Sequence, residues 1–301
     1  MAKKIVASGP IFIVVAAFLW GLDGILRRSL FTLPPTIIVF YEHFLGALLI
    51  LPLTVKALRQ EKVSRETWGA LLWVSLLSGL LGTLMFTAAL VKINFISFSV
   101  VFLLQKLQPI FAIIAAAILL KEKISRPFVG WAILALAAAY FVTFPLGQVN
   151  LATGTGTITA ALLAVGAAFA WGSSTAVSRF GLLRLSHTLM TGLRFLLTTP
   201  LALVAVFLLK NQASLTGLTP DHFLRLLAIA VSTGMVALWL YYRGLKYTQV
   251  KVTTILELVF PLTAVFIDVA LYKNVLHSSQ YLAALILLFA VFKVSQLNKA
   301  S

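Results

Sequence analysis

Several polar and charged side chains lie inside stretches of this sequence that are otherwise apolar. If those stretches cross a membrane, each charge near the centre costs about 2.5–3.5 kcal/mol, so such residues usually face a cavity or a partner. Their types suit two kinds of chemistry, the binding of a polar solute and the carriage of a proton. They are Asp23, Glu42, His43, Gln105, Lys106, Gln108, Arg194, Glu257 and Asp268.

The densest group of these residues surrounds Gln105. On a helix, Gln105, Gln108 and Pro109 share one face through their i, i+3 and i+4 spacing. Lys106 lies about 100° round the helix from Gln105, at the edge of that face. Pro109 removes one backbone hydrogen bond, and the carbonyl that it frees must be satisfied inside protein or in a wet cavity.

A second proline, Pro261, lies beside Glu257 in a later segment, where we expect the same helix break. We therefore predict a substrate site between these two segments, with Trp20 and Trp171 at its wall. For the tryptophans the alternative is packing or anchoring at the membrane interface. The predicted substrate-binding residues are Trp20, Gln105, Lys106, Gln108, Trp171, Arg194 and Glu257.

Glu42 and His43 are adjacent inside a span. A histidine beside a carboxylate titrates near physiological pH, so it can carry a coupling proton. Our hypothesis is transport coupled to protons through Asp23, Glu42 and His43, or through Glu257, with exchange or facilitated diffusion as the other modes of transport. The alternative is a fixed structural pair, in which Glu42 or Asp23 only neutralises Lys106 or His43.

The composition indicates an all-α membrane protein. Hydrophobic residues make up 61% of the chain and charged residues 11%, and the mean hydropathy is +1.03. Soluble domains carry about 25% charge. Alternating strand patterns are absent, so helices must satisfy the backbone in the bilayer.

Several functional classes are disfavoured by the sequence. The net charge of +16 would suit nucleic acid, but the basic residues lie at the ends of apolar segments, so no nucleic-acid partner is expected. The chain has no cysteine, no Walker-type phosphate loop and no His-Glu-x-x-His sequence. We therefore expect no cofactor, no metal site and no enzymatic activity.

Apolar segments long enough to cross a bilayer of about 30 Å recur ten times along the chain. They are separated by charged or turn-rich residues. The predicted spans are approximately 11–30, 36–55, 68–91, 96–120, 127–145, 158–180, 186–209, 222–245, 251–272 and 278–297.

The distribution of basic residues predicts the orientation. With the N-terminus inside, 16 of the 24 Lys and Arg residues lie in inside segments and 6 in outside segments. Cytoplasmic loops carry such an excess, so both termini are predicted to be cytoplasmic in a multi-pass inner-membrane protein. Arg27 and Arg28 are expected to extend to headgroups at the outer end of the first span.

The two halves of the chain resemble each other at an offset of about 151 residues. Residues 18–21 (Phe-Leu-Trp-Gly) recur at 169–172 (Phe-Ala-Trp-Gly), and Arg28 falls on Arg179. Five spans in each half force the second half to enter from the opposite side, which is typical of alternating-access carriers. The predicted units are a five-helix repeat at 1–146, a linker at 147–157 and a second five-helix repeat at 158–301.

These features resemble the drug/metabolite transporter superfamily, EamA type. The resemblance rests on the Phe-x-Trp-Gly motif of each half, residues 194–197, the spans of Pro109 and Pro261, and residues 119–123. It implies a secondary carrier of amino acids, other small metabolites, nucleotide sugars or drugs, with a central cavity between two halves.

We thus predict a secondary-active carrier, an exporter or exchanger, of a small polar metabolite such as an amino acid or organic acid. Its expected partners are this substrate, the lipid bilayer, a coupled proton and, in a homodimer, a second copy of the chain. Three alternatives stay open: a flippase for a lipid-linked substrate, a membrane-embedded lipid-modifying enzyme, and a scaffold in which all buried charges are paired.

Overall fold

The computed structural model describes residues 2–92, 100–149, 156–260, 262–263, 269–270 and 277–298. Secondary structure in these residues is helical throughout, so the prediction of an all-α membrane protein is confirmed. The helix break predicted at Pro261, the buried charge of Asp268 and residues 150–155 of the predicted linker lie outside the described residues.

The chain runs through a series of apolar helices. Eight of those in the described residues are long and apolar enough to cross a membrane, and the other three, Val100–Gln105, Gln108–Leu119 and Val250–Leu256, are shorter. The bounds are Ala2–Arg28 (α1), Pro35–Leu58 (α2), Arg65–Lys92 (α3), Val100–Gln105 (α4), Gln108–Leu119 (α5), Arg126–Thr143 (α6), Thr157–Leu182 (α7), His187–Leu208 (α8), Pro220–Leu245 (α9), Val250–Leu256 (α10) and Ser278–Gln296 (α11).

The predicted fourth span is two helices. α4 ends at Gln105 and α5 begins at Gln108, with a turn at Lys106 and Leu107 between them. Pro109 lies in the first turn of α5, where the missing N–H of a proline has no helical acceptor to lose. One helix therefore ends before the proline and a second begins there, whereas the sequence predicted a single helix broken at Pro109.

A comparable break follows α10. After Leu256 the chain enters a 3₁₀ turn at Glu257–Val259. A shift of 152 residues moves Gln105 onto Glu257, so the two breaks occupy matching places in the two halves. Discontinuous helices at matching places are where transporter folds put their binding sites.

Two helices contain wider, π-helical turns. These are Ser75–Gly82 within α3 and Ala230–Gly234 within α9, and a shift of 151 residues makes them overlap. Such turns in an α-helix occur mostly at functional sites, because they change the register of the backbone and the direction of side chains.

The helices pack in pairs that match between the halves. α2 packs against α8 and α6 against α11, and in both cases the partners occupy equivalent places in the repeat, while α5, after the first helix break, packs against α10, before the second. α1 packs against α9, and its counterpart α7 packs against α3. This pattern is the one that a two-fold relation between the halves produces.

Hydrogen bonds between helix ends define one end of the molecule, which we name the Arg27 end. Arg225, near the start of α9, donates from Nη1 to the carbonyl of Ser29, just after α1, at 2.9 Å. Asn211, just after α8, donates from Nδ2 to Thr36 Oγ1, at the start of α2, at 2.9 Å. The carboxyl ends of α1 and α8 therefore meet the amino ends of α2 and α9.

The opposite end, which we name the Arg179 end, is defined in the same way. The backbone N–H of Ser186, before α8, donates to Glu61 Oε2, after α2, at 2.6 Å. Arg179, near the end of α7, pairs with Glu122 after α5. These contacts make α2 and α8 antiparallel, and they put the carboxyl end of α7 opposite that of α1.

Close packing of α2 against α8 depends on small residues, as at many helix contacts in membranes. A Cβ on Gly46 would lie 2.6 Å from Phe195 Cε1, and one on Gly192 would lie 2.7 Å from Thr54 Cβ. Neither position has room for a methyl group.

We predict that Gly192→Ala lowers the melting temperature of the purified protein, because overpacking costs about 1–3 kcal/mol. That cost exceeds the gain of about 0.5–1 kcal/mol that a helix obtains when alanine replaces glycine. Gly69→Ala is the matched control, because a Cβ there meets nothing within 4 Å. A Gly192→Ala protein as stable as the Gly69→Ala protein would contradict the close contact of α2 and α8.

Candidate functional site

A cavity of about 220 Å³ lies between the two halves of the chain. Its walls come from helices of both halves, including the two helix breaks and both π-helical segments. Many of its lining residues are those that the sequence predicted for binding, for coupling or as a helix break: Trp20, Asp23, Glu42, His43, Gln105, Lys106, Gln108, Pro109, Trp171, Arg194 and Glu257.

The break between α4 and α5 brings Lys106 to the cavity wall. Within the described part of the chain, its ammonium forms neither a hydrogen bond nor an ion pair. The neighbouring Gln105 Oε1 is buried and also lacks a hydrogen-bond donor there. Buried polar groups are normally satisfied, so these two atoms are available to a solute.

The break after α10 supplies Glu257. Its carboxylate accepts hydrogen bonds from Gln108 Nε2 at 2.9 Å and from the Tyr241 hydroxyl at 2.7 Å. Both donors are neutral, and no Lys or Arg in the described residues forms an ion pair with Glu257. The cavity therefore contains a cation at one break and an anion at the other, neither of them neutralised by an ionic partner in that part of the chain.

The Arg27 side chain does not reach the headgroups as expected. It is 4% exposed and forms ion pairs with Asp23 and with Glu42, the latter at 2.7 Å. It also donates to Thr87 Oγ1 at 3.3 Å. Burying a guanidinium is costly, and the two carboxylates within reach offset that cost.

The ionic partner of Glu42 is Arg27, whereas the structural alternative considered from the sequence paired Glu42 with Lys106 or His43. His43 Nδ1 is 2.8 Å from the carbonyl of Val39, and the His43 ring lies 5.2 Å from the ring of Phe195. Arg27, Asp23 and Glu42 together carry one more negative than positive charge.

Arg194 also lacks a carboxylate partner in the described residues. Its guanidinium donates to the Tyr242 hydroxyl at 2.8 Å and to Ser78 Oγ at 2.9 Å, while its Nε is buried without an acceptor. Its predicted role as a ligand for a substrate carboxylate stays a prediction.

The two tryptophans make equivalent contacts across the two halves. Trp20 Nε1 donates to the carbonyl of Thr233 at 3.0 Å, and Trp171 Nε1 donates to the carbonyl of Ser78 at 3.1 Å. Both acceptors lie in π-helical segments. Because each N–H is used in this way, the rings present apolar surface to the cavity, with Tyr241 4.9 Å from Trp20.

Glu122 and Arg179 form a buried ion pair at the Arg179 end, 2.9 Å apart, away from the cavity lining. Glu122 also accepts from the backbone N–H groups of Val250 at 2.8 Å and Lys251 at 3.1 Å. The Arg179 side chain is buried, with the residue 4% exposed.

Sequence reasoning missed the hydroxyl-bearing residues of the cavity. Ser78, Thr233, Tyr241 and Tyr242 all line it and bond to its charged residues. For Ser78 and Thr233, the place in the repeat gave no signal, because a shift of 151 residues moves Ser78 onto Ile229 and not onto Thr233.

Comparisons with known proteins agree with this architecture. A model of the EamA-like transporter family matches residues 7–144 and 158–296. The chain is 36% identical over 294 residues to the riboflavin transporter ImpX of Fusobacterium nucleatum subsp. nucleatum, covering 97% of this chain and 98% of that protein. A solved crystal structure, 17% identical, matches with a TM-score of 0.76 over 97% of each chain and is evidence of the fold alone.

We predict that Arg27→Met destabilises the protein by about 3–5 kcal/mol, because it leaves two buried carboxylates without a cation. Arg59→Met is the control, because Arg59 is exposed and forms no ion pair in the described residues, so its loss should change stability by less than about 1 kcal/mol. Thermal unfolding in detergent measures both. Equal, small losses would contradict the structural role of the Arg27 ion pairs.

Proposed function

The chain belongs to the EamA-like transporter family, and on that premise we propose that it is a secondary-active carrier of a small polar metabolite, with riboflavin the first substrate to test. The observation that carries the proposal is the cavity in which Lys106 and Glu257 face a solute from two matching helix breaks, without ionic partners among the described residues.

We propose alternating access by two inverted five-helix repeats, at 1–146 and 158–301, joined by the linker at 147–157. This gives ten crossings, with both termini cytoplasmic and the chain in the inner membrane. Support comes from the opposite directions of α2 and α8 and from the two separate segments that the family model matches. Two similar halves of opposite orientation allow two similar conformations that face opposite sides.

The charges of the cavity favour a substrate with no net charge. Three carboxyl groups and three Lys or Arg side chains line the cavity, so these acidic and basic residues are equal in number. The Lys106 ammonium needs a hydrogen-bond acceptor on the substrate, and the Glu257 carboxylate prefers a hydrogen-bond donor. The six charged residues are Asp23, Glu42, Glu257, Arg27, Lys106 and Arg194.

Riboflavin fits this description and is the substrate named for a relative of 36% identity. It is uncharged at neutral pH, its ring edge carries donors and acceptors, and its planar ring suits the aromatic walls formed by Trp20 with Tyr241 and by Trp171 with Phe86. We propose that Gln105, Gln108, Lys106 and Glu257 contact its polar atoms.

An amino-acid-like zwitterion is the second candidate, and the size of the cavity favours it. A volume of about 220 Å³ is below the range of about 300–1,000 Å³ that is typical of ligand pockets. A flavin therefore requires the cavity to widen on binding, whereas an amino acid does not. Its carboxylate would meet Lys106 or Arg194, and its ammonium would meet Glu257.

The contacts of the cavity are less consistent with a scaffold or with an enzyme. A scaffold requires every buried charge to be paired, and Lys106 and Glu257 have no ionic partner in the described residues. An enzyme with Asp23, Glu42 and His43 as acid and base groups requires them to converge. Instead Arg27 holds both carboxylates, and His43 Nδ1 is next to a backbone carbonyl.

We propose that transport is driven by coupling to protons. The Arg27 ion pairs leave one negative charge in excess, and a proton on Asp23 or Glu42 would neutralise the cluster. Because both carboxylates line the cavity, solvent reaches them when either end opens.

We predict that Lys106→Met and Glu257→Gln each weaken substrate binding by about tenfold to a hundredfold, as expected for the loss of a hydrogen bond to a charged group. Lys56→Met, at an exposed lysine, is the control. Binding and uptake into proteoliposomes are measured with riboflavin, amino acids and organic acids. Binding of none of them, or unchanged binding in both variants, would contradict the proposed site.

We predict that Asp23→Asn, Glu42→Gln or His43→Gln reduces the dependence of uptake on an imposed pH gradient. The reason is that each removes a group that can bind the coupling proton. Uptake with and without the gradient is compared in each variant. A gradient dependence that stays undiminished in all three would exclude these residues as the coupling site.

A further inference from the structure

Glu122 is a buried carboxylate at the Arg179 end, outside the lining of the cavity. It belongs to residues 119–123, on which the family resemblance partly rests, and the transport mechanism proposed above gives it no role. The preceding residue, Lys121, has a φ of 53°, and this left-handed conformation ends α5. Glu122 then meets Arg179 of the second half at 2.9 Å. A carboxylate of the first half is therefore buried among helices of the second.

The start of α10 has no cap from its own side chains. Gln249, which precedes the helix, makes no side-chain hydrogen bond to it, and all seven residues of α10 are buried. Water therefore cannot satisfy the backbone N–H groups of the first turn. Glu122 does so, because its two carboxylate oxygens accept from the N–H groups of Val250 at 2.8 Å and Lys251 at 3.1 Å. The cap of α10 comes from the other half of the chain.

Further contacts strengthen this attachment. The Lys251 ammonium donates to the carbonyl of Lys123, so the residue after Glu122 also holds the first turn of α10. A negative charge at the amino end of a helix is favourable, and Arg179 offsets the cost of burying that charge. Helices as short as α10 are not stable alone, so its order depends on contacts of this kind.

The other end of α10 leads into the cavity. Glu257 directly follows α10 and lines the cavity, where Gln108 at the start of α5 donates to it at 2.9 Å. The helices α5 and α10 are therefore antiparallel and are joined at both ends, by Glu122 at the Arg179 end and by Gln108 at the cavity. Val250 and Glu257 are seven residues apart, which is about 10 Å along a helix. Because α10 is short and buried, a change in its first turn reaches its last.

We propose that Glu122 is a positioning residue for the cavity, which holds Glu257 in place by capping the distant end of α10. The Glu257 carboxylate stays beside Gln108 only while α10 keeps its position and all of its turns. The role of Glu257 in binding a solute rests on the carrier function proposed above. The position of Glu257 does not depend on that function and can be measured without a substrate.

A purely structural role for Glu122 predicts a different outcome. Its loss would then lower the stability of the whole protein, or would free only the first turn of α10. In either case the cavity end of α10 would be affected no more than other buried segments. The proposal instead requires the effect to reach residues 257–259 selectively.

Hydrogen exchange followed by mass spectrometry, on the purified full-length protein, measures this effect at residues 250–252 and 257–259. Glu122→Gln removes the charge and leaves one oxygen for the two N–H groups. Exchange in both segments should therefore rise by about two- to tenfold, as expected for the loss of a hydrogen bond. No rise, or a rise confined to residues 250–252, would overturn the proposal.

Two controls separate this effect from other losses. Glu66→Gln removes an exposed carboxylate at the same end, whose ion pair with Arg184 is 3.7 Å long, and should change exchange in neither segment. Gly192→Ala lowers stability at the contact of α2 and α8 and should not raise exchange selectively at residues 257–259. An equal selective rise in either control would overturn the proposal.

A double variant keeps the test decisive if the Glu122→Gln protein does not fold. Glu122→Gln combined with Arg179→Met removes both charges, so no buried cation is left unpaired. The cap of α10 is weakened in the same way, and exchange at residues 257–259 should again rise by about two- to tenfold. Protection equal to that of the wild-type protein would show that only the ion pair matters, and would overturn the proposal.

Riboflavin binding measures whether Glu122 acts through Glu257. Glu122→Gln should weaken binding by about two- to tenfold in the wild-type protein and have little further effect in the Glu257→Gln protein, because residues that act through one another are not additive. Equal losses in both backgrounds would overturn the proposal. If the wild-type protein binds neither riboflavin nor amino acids, the proposed function is contradicted, and the exchange result still decides whether Glu122 positions Glu257.

Discussion

Burying charge in a chain surrounded by hydrocarbon is the constraint on which the rest of the structure depends. Water cannot solvate these groups, so every ion needs partners within the protein. Arg27 has two carboxylates, and Glu122 has Arg179 together with two backbone N–H groups. Charges satisfied in this way hold helices together. Lys106 lacks such partners among the described residues and faces the cavity, which makes it a candidate to bind a solute.

The same constraint explains why much of the candidate site was predictable from sequence. A charged residue such as Lys106 or Glu257 inside an apolar stretch is costly, so its presence indicates a role in binding or pairing. The predicted binding and coupling residues all line one cavity. The role of Arg27 was not predictable, because the sequence alone does not show that the Glu42 carboxylate lies within reach of Arg27. Ser78 and Thr233 were missed because Ser and Thr hydroxyls in helices usually bond their own backbone.

The fold was predictable where length and hydrophobicity decide it. The proportion of charged residues, 11%, is far below the value of about 25% in soluble domains and indicates the all-α membrane class. Eight long apolar helices are present in the described residues. The number of ten crossings stays a prediction. The break in the fourth span lies before Pro109, whereas the sequence predicted it at Pro109. The reason is that a proline fits the first turn of a helix better than its middle. Periodicity alone does not distinguish these two places.

The two ends of the molecule are held by unlike sets of interactions. At the Arg179 end, one carboxylate of Glu122 joins three elements through a guanidinium and two backbone N–H groups. At the Arg27 end, two carboxylates share one guanidinium, which leaves one negative charge in excess. Under the alternating access proposed above, two pseudosymmetric halves alone would make both orientations equally populated at rest. The unlike interactions at the two ends would then give the empty protein a preferred side to face.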